Sequence, residues 1–329
     1  MRGLLRVVAV LVLIGATGWA LAAVWIDGRA DFVAWLALAG GALAAALLAR
    51  RLGRRWARGA AAGLPFLCVF VWWHSLDARN DRAWLLDVSR LPRAEIEGDR
   101  LVVHGVRNFR YVPGSEEIAE ARWETRTYDL SKLEGVDLFL SYWGSPMIAH
   151  TIASWDFGDG RPLAISIETR KEVGEAYSAV LGFFRQFELY YVVADERDVV
   201  ALRTNHRGEQ VRLYRTTAKP ALARAILLDY LAEINALEEE PVWYNAATHN
   251  CTTTIRHHVR HVAKGGHRFD WRILVNGRLD ELGYERGNVD TRLPFETLRA
   301  RSDIGERARA AGDAPDFSQR IREGLPNPR

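Results

Sequence analysis

Three long stretches without a charged side chain dominate the first 76 residues and constrain the fold more than any other feature. They cover residues 7–26, 32–49 and 59–76. Twenty residues of helix at ~1.5 Å rise per residue match a hydrocarbon core of ~30 Å. Trp72, Trp73 and His74, near the end of the third stretch, suit a membrane–water boundary. We therefore predict an all-α transmembrane region of three helices over residues 1–76.

The arginines of this region predict its orientation. The loop Arg50 to Arg58 carries five Arg, and Arg2 and Arg6 precede the first stretch. Because cationic loops remain in the cytoplasm, three spans place everything after Asp77 on the outer side. Alternatively, residues 1–23 are a cleaved signal peptide, although their apolar region exceeds the usual ~7 to 15 residues. Both interpretations predict a soluble part that faces the periplasm or the cell surface.

Charge and cysteine content exclude two classes of protein. Residues 1–76 contain eight Arg against two acidic residues, so the remaining 253 residues hold 36 basic and 39 acidic ones. A nucleic-acid-binding domain normally carries a basic patch, and we therefore expect no nucleic-acid partner. Only Cys68 and Cys251 are present, and Cys68 lies in an apolar stretch, which excludes a disulfide framework.

The soluble part, residues 77–292, alternates short strand-like and helical patterns. The clearest unit is a hairpin in which IAHTIASWDF and LAISIET flank the turn Gly158 to Arg161. Further strands are predicted at 101–104, 123–128, 136–142, 189–194 and 210–214, and helices at 173–184, 221–237 and 251–262. We predict an α+β fold with a largely antiparallel sheet. Residues 293–329 read as a C-terminal tail, with a surface helix and a loose terminus.

Cys251 is the most informative candidate for chemistry. Asn250 is a good N-cap, so the helix should begin at Cys251. Unpaired N–H groups and the helix dipole at that end lower a thiol pKa and supply donors for an oxyanion. The alternative is that Cys251 is a small core residue without a reactive role.

A thiolate needs a base, and we predict His150. His257, His258 and His261 lie roughly 9 to 15 Å along the helix axis from Cys251, beyond hydrogen-bond reach. His249 lies on the cap, where its ring is poorly constrained, and His104 and His206 are the other candidates. His150 lies on the hairpin, where a rigid sheet can position an imidazole, although a polar residue on a strand's solvent face is an equal alternative. Ser166 or Glu168 on the paired strand could orient it, and the sequence does not choose between them.

We expect neither a metal nor a cofactor. His257 and His261 are four positions apart, and with His249 and Cys251 they resemble a ligand cluster. No HExxH or CxxC motif accompanies them, so a solvated or headgroup-facing surface is the simpler interpretation. The glycine-rich fragments do not lie between a strand and a helix, which gives no support to nucleotide binding.

Six segments resemble the bacterial family named for the Lnb N-terminal periplasmic domain, and the likeness covers roughly Val103 to Leu282. The segments are VRNFRY, RWETRTYDL, DLFLSYWGSPMIAHT, SIETRKEVGEAYS, FFRQFELYYVVADERD and WYNAATHNCTT. The resemblance implies a permuted branch of the papain-like NlpC-type superfamily, in which the catalytic His precedes the Cys. His150 before Cys251 agrees with that order. The arrangement is also similar to that of the lecithin-retinol acyltransferases, which transfer a fatty acyl group through a cysteine thioester.

Together with the three predicted helices, the resemblance implies a multi-pass protein of the bacterial inner membrane with a periplasmic thiol domain. The function expected first is an acyltransferase that acts on a membrane phospholipid and a lipoprotein amine, with Cys251 as nucleophile and His150 as base. In the acyltransferase after which the family is named, the thiol domain comes first and the membrane helices follow. Here three predicted helices come first, so the substrate could differ. A cell-envelope amidase or peptidase, and a non-enzymatic tethered binding module, are the alternatives.

Overall fold

The computed structural model describes residues 2–53, 55–262, 270–273 and 275–329 and divides the chain into two compact units. The first, here the helical unit, comprises Met1–Arg79, Tyr177–Glu188 and Val242–Asn245. The second, here the sheet unit, comprises Asn80–Ala176, Leu189–Pro241 and Ala246–Arg329. Two later segments, Tyr177–Glu188 and Val242–Asn245, therefore belong to the same unit as the N-terminal helices.

The helical unit contains helices α1 (Arg2–Ile26), α2 (Phe32–Arg51), α3 (Arg55–Ala61) and α4 (Leu64–His74). Two helices, spanning Gly3–Ile26 and Phe32–Arg51, are long and apolar enough to cross a membrane. The third predicted span is not one continuous helix, because α3 ends before Gly63 and Pro65 lies in the first turn of α4. Proline lacks a backbone N–H and is tolerated only in that first turn, so the helix has to restart there. Arg54 of the predicted cytoplasmic loop lies outside the described residues.

Helix α4 runs antiparallel to α2. A Cβ atom on Gly41, in the middle of α2, would lie 2.7 Å from the Cα atom of Pro65 at the start of α4. At the other end, the indole of Trp72 donates a 2.9 Å hydrogen bond to Asp31, which caps α2. Glycine at position 41 is therefore needed for the close approach of the two helices.

The long helices expose their apolar side chains. Leu5, Leu11 and Val12 on α1 are each more than 60% exposed, and Phe32 at the start of α2 is 73% exposed. A core helix of a soluble protein would bury such side chains, because water contact with apolar surface is unfavourable. The exposure, length and composition of α1 and α2 together suit a lipid environment.

Among the described residues, the sheet unit is built on ten strands, of which eight form one sheet. The strands are β1 (Arg93–Glu97), β2 (Arg100–Arg107), β3 (Arg110–Tyr111), β4 (Ile118–Glu120), β5 (Trp123–Asp129), β6 (Gly135–Tyr142), β7 (Ala149–Asp156), β8 (Leu163–Arg170), β9 (Glu188–Ala194) and β10 (Gln210–Arg215). The order in the large sheet is β1-β2-β9-β8-β7-β6-β10, with β5 also paired to β2. The pairings of β1 with β2, β2 with β5, β6 with β7, β7 with β8 and β6 with β10 are antiparallel, and that of β2 with β9 is parallel. The predicted α+β class with a largely antiparallel sheet is confirmed.

Helices cover both faces of this sheet. They are α5 (Glu196–Ala201), α6 (Pro220–Glu239), α7 (Cys251–Val262), α8 (Leu279–Glu285), α9 (Phe295–Arg301), α10 (Gly305–Ala311) and α11 (Phe317–Arg320). On one face, Tyr230 of α6 contacts Trp155 of β7 and Tyr191 of β9 edge to face. On the other face, Phe139 and Ile152 share a buried cluster with residues of α5, α10 and α11. This core fixes the strands that carry His150, Ser166 and Glu168.

Two local predictions are wrong. Residues 173–184 do not form a helix; only Leu181–Phe183 make a short 3₁₀ turn, and Gly174 adopts a φ of 93°, which α-helix excludes. The tail is not a loose terminus, since Phe317 and Ile321 are almost fully buried in the cluster beneath the sheet. These two apolar residues are four apart, one turn of helix, but the surrounding arginines conceal the pattern.

Arg322 ties the tail to the sheet. Its guanidinium lies 2.9 Å from Asp137 of β6 and 2.7 Å from Glu196 of α5, and both carboxylates are fully buried. Breaking a buried ion pair by removing one partner costs about 3–5 kcal/mol, because the remaining charge stays buried without compensation. The tail therefore stabilises the sheet through both charge and apolar contact.

We expect Arg322→Ala to lower the thermal unfolding midpoint of the full chain in detergent by about 10 °C, because buried Glu196 loses its cation and buried Asp137 keeps only its contacts with Arg215 and Arg329. Circular dichroism would measure it. The matched control is Arg320→Ala, whose i,i+4 pair with Asp316 is exposed and contributes little. Equal midpoints for the two variants would contradict the proposed role of Arg322.

Candidate active site

Cys251 is the first residue of α7, as the sequence predicts. The side-chain oxygen of Asn250 accepts hydrogen bonds from the backbone N–H groups of Thr252 (3.0 Å) and Thr253 (2.9 Å). Asn250 is therefore the N-cap, and it fixes the helix start that presents the thiol. Its amide nitrogen donates to the carbonyl of Ala246, 2.7 Å away, which holds the cap itself in place.

His150 lies near the start of β7 and is 8% exposed. The ladder between β7 and β6 extends to Ala149, and it pairs His150 with Ser141. The ladder to β8 begins only at Ile152, so the strands separate beside His150. The His150 imidazole and the backbone N–H of Thr151 both act on the Cys251 thiol and lower its pKa. The structure thus brings together two predicted residues that are a hundred positions apart.

Ser166 and Glu168, the two open candidates for the orienting group, both contact the far side of the ring. His150 Nε2 lies 2.6 Å from the Ser166 hydroxyl and 3.0 Å from Glu168 Oε1. The Ser166 hydroxyl donates to Glu168 over 2.7 Å, so it accepts from the imidazole. Because Nε2 is engaged on this side, Nδ1 is the nitrogen that can exchange a proton with the thiol.

The electrostatics of the cluster favour an ion pair. Burial and the charge of Arg203 lower the pKa of His150, but Glu168 and Cys251 outweigh them and raise that pKa to about 9. Burial raises the pKa of the Cys251 thiol, while His150, the Thr151 N–H and the Thr252 hydroxyl bring about a net lowering. The two shifts therefore favour a thiolate–imidazolium pair over the neutral thiol and imidazole.

Arg203 and Glu209 extend the cluster, and the sequence analysis missed both. Arg203 lies in a π-helical turn, Leu202–His206, and donates to Glu168 over 2.9 Å and to Glu209 over 3.2 Å. Glu209 accepts a hydrogen bond from Ser141, the cross-strand partner of His150. The charges of His150 and Arg203 together hold the pKa of Glu168 well below its usual range, although burial opposes them. No motif in the sequence marks these residues, because the contacts are made only in the folded chain.

Asn276 is a further residue that the sequence analysis missed. Its amide nitrogen lies 2.6 Å from the Thr252 hydroxyl and 3.9 Å from the Cys251 sulfur, while its oxygen accepts from the Ala149 N–H. Asn276 thus joins the start of α7 to the start of β7. A Cβ atom on Gly277 would lie 2.2 Å from the Pro146 carbonyl oxygen, so glycine is required beside it. The sequence does contain one local indication of this turn, the pair Asn276–Gly277, because Asn-Gly is typical of a tight turn.

The other histidines considered as candidate bases or metal ligands contact groups outside the Cys251–His150 pair. His258 and His261 contact the two oxygens of Asp229 at 2.7 and 2.6 Å. His104 lies 3.1 Å from the Thr125 hydroxyl, and His206 packs on Tyr111. His249 contacts its neighbour Thr248. Within the described parts of the chain, no group of three or more His, Cys, Asp or Glu residues could hold a metal ion.

The site as a whole is a partly buried thiol at a helix N-terminus, paired with an imidazole that a carboxylate orients. This arrangement of groups can carry out nucleophilic chemistry on an acyl carbon. It lies in an α+β domain that follows apolar helices in the chain. Residues 119–277 match the family model of the Lnb N-terminal periplasmic domain.

The match supports that family for the region that carries Cys251, His150 and Asn276. Together with the two apolar helices, it indicates a membrane-anchored periplasmic protein. No curated protein and no solved structure matches the chain.

Alkylation by iodoacetamide should reveal the ion pair. In a Cys68→Ala chain, we expect the rate at Cys251 to follow a thiol pKa below the ordinary ~8.5. His150→Ala should lower the rate at pH 7 at least about tenfold, because each unit of pKa changes the thiolate fraction tenfold. The measurement is the rate of adduct formation by mass spectrometry between pH 5 and 10.

His257→Ala is the matched control, since it removes an exposed imidazole from the same helix. Its alkylation profile should equal that of the Cys68→Ala parent. A parent profile that rises only near pH 8.5, or one that His150→Ala leaves unchanged, would show that no ion pair forms.

Proposed function

We propose that this protein is a membrane-anchored periplasmic acyltransferase that moves a fatty acyl group from a phospholipid to an amine through a thioester on Cys251. The observation that carries the proposal is the Cys251–His150 pair beside exposed apolar side chains. The proposal also draws on the resemblance to acyl-transferring thiol enzymes and on the apolar helices of the chain.

Apolar side chains border the residues that frame the thiol. Met147 and Ile148 immediately precede β7 and are 43% and 53% exposed, and Trp271 is 49% exposed. Gly277, next to Asn276, donates a hydrogen bond from its N–H to the Met147 carbonyl. Water contact with this surface is unfavourable, and an acyl chain would remove it from water. A phospholipid is the donor that this surface favours over a peptide.

The chemistry follows from the protonation states. The Cys251 thiolate attacks the ester carbonyl carbon, and the resulting oxyanion is held by the backbone N–H of Cys251 at the helix N-terminus. The C–O bond of the ester then breaks, and the leaving alkoxide takes the proton from His150 Nδ1. An acceptor amine attacks the thioester and gives its proton to His150, and the thiolate leaves. Glu168 stabilises the imidazolium in the first half of this cycle.

The anchor keeps the enzyme at its donor. We propose that α3 and α4 together complete a third, kinked crossing beside α2, which gives a multi-pass protein of the bacterial inner membrane. The basic residues between α2 and α3 favour a cytoplasmic location for that end. Only residues 246–250 separate Asn245 of the helical unit from Cys251 in the chain, so the thiol is linked to the anchor by a short connection. A lipoprotein amino terminus is the acceptor that the family resemblance favours.

Mass spectrometry of the full chain purified from membranes should detect an acyl thioester on the Cys251 peptide. Cys251→Ala should abolish the adduct and the acylation of lipoprotein amines in cells that depend on this protein. Cys68→Ala should retain both, since Cys68 lies in α4. Absence of a thioester, with lipoprotein acylation unchanged in the Cys251→Ala strain, would contradict acyl transfer.

A cell-envelope amidase or peptidase would use the same pair of residues with water as the acceptor. The superfamily resemblance favours this second candidate, whereas the apolar border of the site does not. New amine ends after incubation of the purified chain with cell-wall peptides, lost in Cys251→Ala, would establish it. Unchanged peptides would remove it.

A further inference from the structure

The connection between β8 and β9 sends an uncharged segment into the helical unit. Residues 177–184, here called the interfacial segment, read YSAVLGFF. They follow the acidic residues Glu172 and Glu175 and precede Arg185. The segment belongs to the helical unit, although β8 and most of β9 belong to the sheet unit.

Polar contacts fix this segment at the end of the unit where α1 ends and α2 begins. The backbone N–H of Arg185 and the side-chain amide of Gln186 each donate to Asp27 over 3.2 Å. The indole of Trp73 donates to the same carboxylate over 2.6 Å. The Arg185 guanidinium lies over the Trp73 ring at 4.5 Å and hydrogen-bonds the carbonyl of Leu76. The carboxylate of Asp27, just after α1, therefore binds both the last turn of α4 and the residues that directly follow the interfacial segment.

The segment has a packed side and an open side. Phe184 is 8% exposed and packs with Val24 of α1 and Val69 of α4. Val180 and Phe183 point away from the unit and are 66% and 50% exposed, and Tyr177 is 49% exposed. A loop in water would not normally keep three adjacent large apolar side chains open to solvent.

Exposed apolar residues on the helices continue this open side. Trp25, in the last turn of α1, and Phe32, at the start of α2, are 58% and 73% exposed. Aromatic residues at such positions form the belt that lies at the headgroup level of a bilayer. Asp27, which binds Arg185 and Gln186, lies between Trp25 and Phe32 in the chain, so the segment is fixed at the same end of the helical unit as these two aromatic residues.

We infer that the interfacial segment inserts Val180 and Phe183 into the outer leaflet of the membrane that α1 and α2 cross. The partner is therefore a phospholipid surface at headgroup depth. An uncharged apolar turn followed by an arginine suits that depth, because the apolar side chains enter the acyl boundary while the charged residue stays at the headgroup level. The inference rests on the membrane anchor of the proposed function and not on the chemistry of the thiol.

Nitroxide labels can measure this depth. The full chain with Cys68→Ala and Cys251→Ala would carry one further substitution, Val180→Cys or Phe183→Cys, and would be reconstituted in vesicles of phosphatidylethanolamine and phosphatidylglycerol. Collision rates with oxygen, which concentrates in lipid, and with a water-soluble nickel chelate would be compared. We expect the oxygen-to-nickel ratio at both positions to exceed the ratio at Ile96→Cys severalfold. Ile96 is a matched exposed aliphatic residue, but it lies between Glu95 and Glu97.

Val33→Cys, on the exposed first turn of α2, reports the membrane anchor itself. A lipid-like ratio at Val33 with a water-like ratio at Val180 and Phe183 would overturn this inference alone. A water-like ratio at Val33 would contradict the anchor. Low collision rates with both reagents at Val180 and Phe183 would indicate that a protein partner or a second copy covers the segment, and this result would also overturn the inference.

Discussion

The site depends on one interaction, in which the imidazole of His150 and the thiol of Cys251 each favour the charged form of the other in a partly buried position. Desolvation opposes the charge on both groups, so each pKa is set by the neighbours that outweigh burial. Glu168 supplies the opposing charge for His150, and His150 supplies it for Cys251. Arg203 keeps Glu168 ionised although it also repels the imidazolium. The order of charges across the site is therefore Arg203, Glu168, His150 and Cys251, alternating in sign.

The scaffold holds these charges through separate elements that meet at one end of β7. Asn250 fixes the start of α7, the ladder to β6 fixes the strand that carries His150, and Asn276 connects the two. The ladder between β7 and β8 begins only at Ile152, so Thr151, whose N–H lowers the pKa of the Cys251 thiol, lies just outside it. All of these contacts except the one between Asn276 and Thr252 involve a backbone group, and groups on helices and strands are positioned more precisely than groups on loops.

The sequence predicted features that local chemistry determines and missed those that long-range packing determines. The Asn250 cap, the start of the helix at Cys251 and the hairpin depend on neighbouring residues, and they were predicted correctly. Arg203 and Asn276 contact the cluster only after the chain has folded, and their local sequence carries no catalytic motif. The tail was predicted as loose because the apolar spacing of Phe317 and Ile321 is short and interrupted by arginines. The helix predicted over 173–184 fails because Gly174 adopts a positive φ.

The protonation state of His150 tests the account most directly. In full-length protein with ¹⁵N-labelled histidine, the nitrogen shifts of His150, identified by their loss in His150→Ala, should be those of an imidazolium at pH 7.5. These shifts should titrate with a pKa of about 9, because Glu168 and Cys251 raise the pKa of His150 more than burial and Arg203 lower it. A neutral ring at pH 7.5 that titrates near the ordinary value of ~6.5 would contradict the ion pair on which the proposed chemistry depends.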